Sequence, residues 1–209
     1  MPAHQIEPAP AETTVGRKAA SHEKILREAA RAIRAKGPAG VGVASIMQAA
    51  GLTHGGFYAH FGSKDDLVAA AIHSMFAESA ARFARRVGEA QGLAALRLWI
   101  DGYLSAAHRD DRARGCAVAA LSGDAARLDR QARAAFDAGI AGIAARYMRY
   151  LPKRRRGFDP RAFALAMITQ LAGAVALSRA VADRTLSDAI LDAARRSLQA
   201  RLDTLAGVA

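Results

Sequence analysis

The side chains best suited to binding chemistry are concentrated in one segment, residues 51–67, which reads GLTHGGFYAHFGSKDDL. Within it, Thr53 and His54, expected at the start of a short helix, supply a hydroxyl and an imidazole. Groups of this kind donate hydrogen bonds to phosphate oxygens and to base edges. The segment therefore indicates contact with a nucleic acid rather than covalent chemistry.

The sequence offers no arrangement of residues that would support catalysis. No two of its histidines are four positions apart, as a helical metal-binding pair requires. No nucleophile elbow occurs, and no glycine-rich phosphate loop follows a strand. We therefore predict that the protein is not an enzyme and has no catalytic residue, metal site or cofactor. The histidines are His4, His22, His54, His60, His73 and His108.

The segment lies within a predicted helix-turn-helix. Apolar residues at helical spacing predict a first helix that Ser21 caps and that Gly37 ends. A short helix over 43–50 follows, then a turn at Gly51 and a second short helix. We expect Gly55 inside that second helix rather than in a loop, because glycine lets a backbone approach a nucleic acid closely.

Long capped helices account for the rest of the chain. Ser63 and Asp66 form a predicted capping box ahead of a helix that reaches residue 87. A second capping box, Thr185 to Asp188, is expected to open the last helix. No strand-like alternation occurs, so we predict an all-α fold of about nine helices. The remaining predicted helices cover 93–108, 115–121, 125–150 and 161–182, the last of them opened by Asp159 and Pro160.

The net charge of +11 over 209 residues points to a polyanionic partner. Residues 17–64 hold eight Lys/Arg and two Asp/Glu, whereas residues 65–209 hold 22 and 15, so the basic density is highest in the N-terminal module. An alternative is a basic helical protein that binds nucleic acid or an anionic membrane without sequence specificity.

Cysteine content and hydropathy bear on location. A single cysteine cannot form an internal disulfide, and the N-terminus has no apolar signal region, so we predict a cytoplasmic protein. The uncharged stretch 162–178 falls just short of a membrane span and contains polar residues. We interpret it as a core or subunit-interface helix, with no membrane partner.

The glycine turn, the Tyr of the short helix and the run Ser63-Lys64-Asp65-Asp66-Leu67 resemble the signature of the TetR/AcrR family of bacterial transcriptional regulators. The resemblance is close from 21 to about 71. It implies that Tyr58 and Lys64 hold phosphates of duplex DNA. It also implies that Thr53, His54 and His60 contact bases, although His60 could instead pack against the first helix.

One departure from the family pattern lies at the start of the second helix. The family commonly has a capping Thr and an Arg there, and this chain has Gly42 and Ala44. We expect Ser45 to take over a phosphate contact and the second helix to contribute less than usual. The predicted DNA-binding residues are Ser45, Thr53, His54, Gly55, Tyr58, His60 and Lys64.

The resemblance also implies the organisation of the chain and its function. Residues 1–16 are rich in Pro and Ala and show no apolar periodicity, so we expect a disordered tail there. The resemblance implies a three-helix DNA-binding domain over 17–64 and a helical ligand-binding and dimerisation domain over 65–209. The expected protein is a homodimeric repressor that binds a palindromic operator and responds to a small-molecule effector. A stripe of Ala166, Gln170, Gly173 and Leu177 could allow close helix pairing between subunits.

Large side chains on the later helices are candidates for the effector pocket, with ordinary core packing as the alternative. Among them Cys116, at the start of a short helix, could be a reactive thiolate or a small buried hydrophobe. The basic run 153–156 is either a solvated loop or a second polyanion site. The pocket candidates are Met75, Phe76, Trp99, Tyr103, Cys116, Phe136, Tyr147, Met167 and Gln170.

Overall fold

A computed structural model describes residues 14–153 and 156–207. That part of the chain contains nine α-helices and no strand, which confirms the predicted all-α fold. The α-helices are α1 Thr14–Lys36, α2 Val43–Ala49, α3 Lys64–Val87, α4 Gly92–Tyr103, α5 Ala106–Asp110, α6 Ala117–Leu121, α7 Arg130–Met148, α8 Pro160–Ala180 and α9 Arg184–Ala206. Three 3-10 helices lie at His54–Ala59, Arg112–Arg114 and Ala125–Arg127.

Two predicted helix starts are confirmed by their caps. The Ser63 hydroxyl accepts a hydrogen bond from the Asp66 amide at 3.0 Å and so opens α3. The Asp159 carboxylate accepts from the amides of Arg161 and Ala162 at the start of α8, with Pro160 at the first helical position. These caps satisfy amides that the helix itself leaves without partners.

The first helix begins earlier than predicted. It starts at Thr14, so Ser21 lies inside α1 and does not cap it. Residues 17–20 are Arg-Lys-Ala-Ala, all strong helix formers, and no breaker separates them from Ser21. The predicted disordered tail therefore loses residues 14–16 to α1, and residues 1–13 lie outside the described part of the chain.

The start of α9 also differs from the prediction. The cap is Asp183, whose carboxylate accepts from the Thr185 amide at 2.8 Å, and the predicted box over 185–188 is wrong. A carboxylate at the positive end of a helix dipole is favoured over a neutral hydroxyl two residues later.

Two predicted helices are shorter or divided. The helix expected over 93–108 ends at Tyr103 and resumes at Ala106, where the Ser105 hydroxyl accepts from the His108 amide. The helix expected over 125–150 begins instead at Arg130, capped by Asp129. Neither break contains proline, so local hydrogen bonding by Ser and Asp sets both boundaries.

The long helix α3 is the central element of the fold. It packs against α1 on one side and against α7 and α4 on others, while α8 packs on α7 and α9. The Phe83 ring of α3 lies among the rings of Trp99, Tyr147 and Tyr150, at centroid distances of 5.0 to 5.9 Å. Because α1 and α7 both pack on α3, this helix links the N-terminal module to the later helices.

Within residues 14–153 and 156–207, one helix, α8, is long and apolar enough to cross a membrane by length and composition. Half of its most apolar window is buried against the rest of the chain. Met167, Leu171 and Val175 form the buried side of the helix. This burial matches the predicted core helix.

Candidate DNA interface and an arginine-lined cleft

The second element of the helix-turn-helix is the 3-10 helix His54–Ala59, which the sequence predicts as a short helix. Gly51 has φ +68° in the turn before it, a conformation that glycine adopts without strain. Phe57 is 1% exposed and stacks on Phe61 with centroids 5.7 Å apart. These two rings anchor the segment in the core. Tyr58, which follows Phe57, projects outward and is 72% exposed.

Six of the seven predicted DNA-binding residues lie exposed on or beside this helix-turn-helix. The Thr53 side chain makes no capping hydrogen bond at the start of the 3-10 helix, and the residue is exposed. The Ser45 hydroxyl donates to the Gly42 carbonyl at 2.8 Å, within the first turn of α2. The exposed residues are Ser45, Thr53, His54, Gly55, Tyr58 and Lys64.

His60 differs from the other six because its ring packs against α1. Its centroid lies 6.0 Å from the His22 ring, and His22 stacks on Phe61 at 4.6 Å. The His60 Nδ1 atom is buried without a hydrogen-bond partner among the described residues. Burial lowers the pKa of His60, and the nearby His22 and Lys18 lower it further. The His60 ring therefore packs against the first helix, which is the alternative given for this residue.

The predicted pocket residues lie mainly in the interior of the later helices. Trp99 Nε1 donates to the Tyr147 hydroxyl at 2.7 Å, and these two rings border a small internal cavity with Tyr103 and Cys116. Gln170 is half-buried, and its amide donates to the Ala194 carbonyl at 3.4 Å, where α8 meets α9. The buried members are Met75, Phe76, Trp99, Tyr103, Cys116, Phe136, Tyr147 and Met167.

Cys116 is 5% exposed and immediately precedes the five-residue helix α6. The hydroxyl of Tyr103 lies beside its thiol, and burial raises the pKa of Tyr103 well above its usual value. The position is that of a small side chain closed off from solvent, which is the second of the two alternatives for this residue.

An open cleft of about 610 Å³ lies between α1, α3 and the α4–α5 corner. Seven arginines line it, with only Glu78 and Asp111 as acidic members. Trp99 and Tyr103 form part of its wall, so two of the predicted pocket residues border this space as well. The other lining residues of the cleft were missed by sequence reasoning, although Arg27, Arg31 and Arg34 share one face of a predicted helix.

His108 lies at the α4–α5 corner of the same cleft. Its Nδ1 is 2.6 Å from the Tyr103 carbonyl oxygen, so the ring donates from Nδ1 when neutral. Burial lowers the pKa of His108 to about 4 despite this bond, and the charges of Arg179 and Arg82 add to the effect. His108 is therefore uncharged at neutral pH, and the positive potential of the cleft comes from its arginines.

Comparison with known proteins gives a family match for the N-terminal module. Residues 25–71 match the family model described as bacterial regulatory proteins, tetR family. This range covers α2, the 3-10 helix and the start of α3. A comparison with curated protein sequences returns no significant match.

Solved structures with the same fold have low sequence identity to this chain. The reduced form of E. coli NemR has a TM-score of 0.73 and 19% identity, covering 89% of this chain and 97% of that one. A TetR transcriptional regulator from Chloroflexus aurantiacus J-10-FL has a TM-score of 0.74 and 23% identity, covering 88% and 96%. The regulatory protein TetR from Rhodobacter sphaeroides has a TM-score of 0.70 and 24% identity, covering 84% and 97%.

The family match and the fold agree with the arrangement of exposed donors around the 3-10 helix. Residues 25–71 therefore match the tetR-family model, and the chain as a whole has the fold of TetR-family transcriptional regulators.

Proposed function

We propose that this protein is a cytoplasmic, ligand-responsive repressor that binds a palindromic DNA operator as a homodimer. The observation that carries the proposal is the pairing of buried Phe57 with exposed Tyr58, which presents one face of the 3-10 helix to a partner. In this proposal, residues 17–64 bind DNA, and residues 65–209 bind the effector and form the dimer.

The DNA-binding face combines phosphate contacts with a small base-reading surface. Lys64 is exposed at the first position of α3 and Tyr58 is exposed on the 3-10 helix, and in this proposal both contact phosphates. Thr53 and His54 are assigned to base edges, and Ser45 to a further phosphate. Gly55 is exposed, and a Cβ atom added there would have no neighbour within 4 Å, so the backbone is open to close approach.

The proposed dimer uses the faces of α8 and α9 that the chain leaves uncovered. On α8, Leu177 and Leu165 are both exposed, and Gly173 lies one turn before Leu177 on the same side of the helix. On α9, Leu191, Leu198 and Leu202 are buried within the subunit, so the free face consists of other residues. Those exposed on α9 include Leu186, Ala189, Ala193, Ser197 and Ala200.

Small side chains on both free faces permit close helix approach in a four-helix arrangement about a twofold axis. A twofold dimer would bring two recognition segments about 34 Å apart, the spacing of one DNA turn. This symmetry is the reason that the operator is expected to be a palindrome.

The phosphate role of Lys64 can be tested by the salt dependence of DNA binding. Lys153 is the matched control, because it is exposed and its loop lies at the far end of α3, where Tyr150 packs on Phe83 at 5.4 Å. Lys64→Ala should weaken binding and reduce the slope of log K against log salt by about one unit. Lys153→Ala should leave both unchanged. Equal slopes for Lys64→Ala and the wild type would remove the assigned contact.

A further inference from the structure

The cleft between α1 and α3 carries a large excess of positive charge. Helix α3 contributes Arg82, Arg85 and Arg86 to it. Of its two carboxylates, Glu78 is already paired with Arg34 at 2.6 Å, and Asp111 with Arg114 at 2.9 Å. Because both carboxylates pair with other arginines, neither of them forms an ion pair with an arginine of α3.

Two guanidinium groups in this cleft have unmet capacity for hydrogen bonding. Arg82 is half-buried and forms no hydrogen bond or ion pair within the described part of the chain. Burial lowers the pKa of Arg82, and the charge of Arg34 lowers it further, because both disfavour the charged form of the guanidinium. The Arg34 side chain is 1% exposed, and its Nε atom has no partner among the described residues. Both groups would gain from a negative charge placed between them.

Behind the arginines, the wall of the cleft is apolar and aromatic. Trp99 and Tyr103 form it, together with Gly102, whose missing side chain leaves room for Arg86. The Arg86 Nε donates to the Leu98 carbonyl at 3.3 Å, which holds this side chain across Gly102. Cations at the mouth and aromatic rings behind them suit a ligand with an acidic group and an apolar body.

The Arg82 end of the cleft is far from the surface assigned to DNA. Along α3, Arg82 is eighteen residues beyond Lys64, which corresponds to about 27 Å at 1.5 Å per residue. A duplex held by Lys64 and Tyr58 does not extend to this depth between α1 and the α4–α5 corner. The concave shape and volume also suit a small molecule better than a polymer.

We propose that this cleft binds a small organic anion, with its acidic group at Arg82 and its apolar body against Trp99 and Tyr103. The inference deepens the proposed function, on which it rests, by giving the chemical class of the effector. Since Arg31 of α1 and Arg82 of α3 both line the cleft, an anion bound there lies between the two helices. Binding is thereby coupled to the position of the DNA-binding module.

A fluorescence titration tests the site directly, because Trp99 is the single tryptophan of the chain. The probes are anilinonaphthalene sulfonate and its uncharged analogue N-phenylnaphthylamine, each followed by quenching of Trp99 emission. The sulfonate should bind at least about tenfold more tightly than the uncharged analogue. Equal affinities, or no quenching by the sulfonate, would overturn the proposal.

Variants of Arg82 test whether this side chain is the cation that binds the sulfonate. Arg82→Gln should weaken sulfonate binding at least about tenfold, while Arg82→Lys, which keeps the charge, should weaken it less. Arg133→Gln, at an exposed position on α7, is the matched control and should bind as the wild type does. If Arg82→Gln fails to fold, Arg85→Gln at the rim serves in its place, since Arg85 is exposed. Wild-type affinity in the folded glutamine variant would contradict the proposal.

A DNA-binding measurement separates this cleft from the DNA surface. Without added anion, Arg82→Gln should bind DNA within about twofold of the wild type, whereas Lys64→Ala should not. A loss in Arg82→Gln as large as that in Lys64→Ala would assign the cleft to DNA and overturn the proposal. The fluorescence titration contains no DNA, so failure of the proposed repressor function would leave its outcome intact.

Discussion

The Arg34 guanidinium of α1 donates to the Glu78 carboxylate of α3 at 2.6 Å, while the Arg34 side chain is only 1% exposed. A second nitrogen of the same group donates to the Ala113 carbonyl at 3.4 Å. This ion pair ties the first helix of the DNA-binding module to the long helix that supports the later domain. Removing the carboxylate leaves a buried cation without its main partner.

Glu78→Gln should therefore lower the free energy of unfolding by about 2 kcal/mol, less than for a fully buried pair because Glu78 is partly exposed. Urea unfolding followed by circular dichroism measures this change. Glu28→Gln is the control, because Glu28 pairs with the exposed Arg31 at 3.3 Å on the surface of α1. Its effect should stay under about 0.5 kcal/mol, and an equally small effect for Glu78→Gln would contradict the role given to the pair.

Two glycines of α7 should respond oppositely to alanine. At Gly139 an added Cβ would clash with ring carbons of Phe76, which packs edge-on against Phe136. Gly139→Ala should therefore destabilise the fold by about 2 kcal/mol through overpacking between α3 and α7. At Gly142 nothing lies within 4 Å of such an atom, so Gly142→Ala should raise stability by about 0.5 to 1 kcal/mol. Thermal unfolding of the two variants measures both effects, and a shift of the same sign in both would contradict this packing.

Stability should depend on pH through His108. Burial lowers the pKa of His108 to about 4, so the unfolded chain takes up its proton near 6.5 and the folded chain only near 4. Above pH 6.5 His108 is neutral in both states and does not change the free energy of unfolding. As the pH decreases from 6.5 to 4, that free energy falls by up to about 3 kcal/mol, because only the unfolded chain takes up the proton. Urea unfolding between pH 4 and 7 should show a flatter profile for His108→Asn. The exposed His73 is the control, and a His73→Asn profile as flat as that of His108→Asn would argue against the assignment.

Gly55→Ala should separate folding from DNA binding. No atom lies within 4 Å of the added methyl group, so stability should be unchanged or slightly raised. Affinity for DNA should fall at least about fivefold, because the methyl group blocks close approach of the backbone. Gly142→Ala, far along the chain on α7, should bind DNA as the wild type does. Unchanged affinity in Gly55→Ala would exclude a tight backbone contact at this position.

Local hydrogen bonding explains which parts of the fold could be predicted from the sequence. The caps at Ser63 and Asp159 follow from residue types at fixed spacing and need no tertiary information. At α9 the same reasoning chose the wrong cap, since Asp183 and Thr185 are both suitable and only two residues apart. The break before α5 depends on one Ser105 side chain, a residue type that also occurs inside helices.

The arginine-lined cleft could not be predicted because its members are distant in sequence. Arg27 and Arg114 are brought to one cavity only by the packing of α1 on α3 and on the 3-10 helix Arg112–Arg114. On the sequence alone, the arginine face of α1 is typical of a solvated surface. The predicted DNA-binding residues were easier to propose from the sequence, because almost all of them lie within one continuous segment.

Selection of bound DNA from a random duplex library tests the central claim, sequence-specific binding by a dimer, most directly. The wild-type protein should enrich a palindrome whose half-site centres are about one helical turn apart. The folded Tyr58→Ala variant should bind the enriched duplex more weakly than the wild type. Enrichment of no common sequence by the wild-type protein would contradict the account and favour binding without sequence specificity.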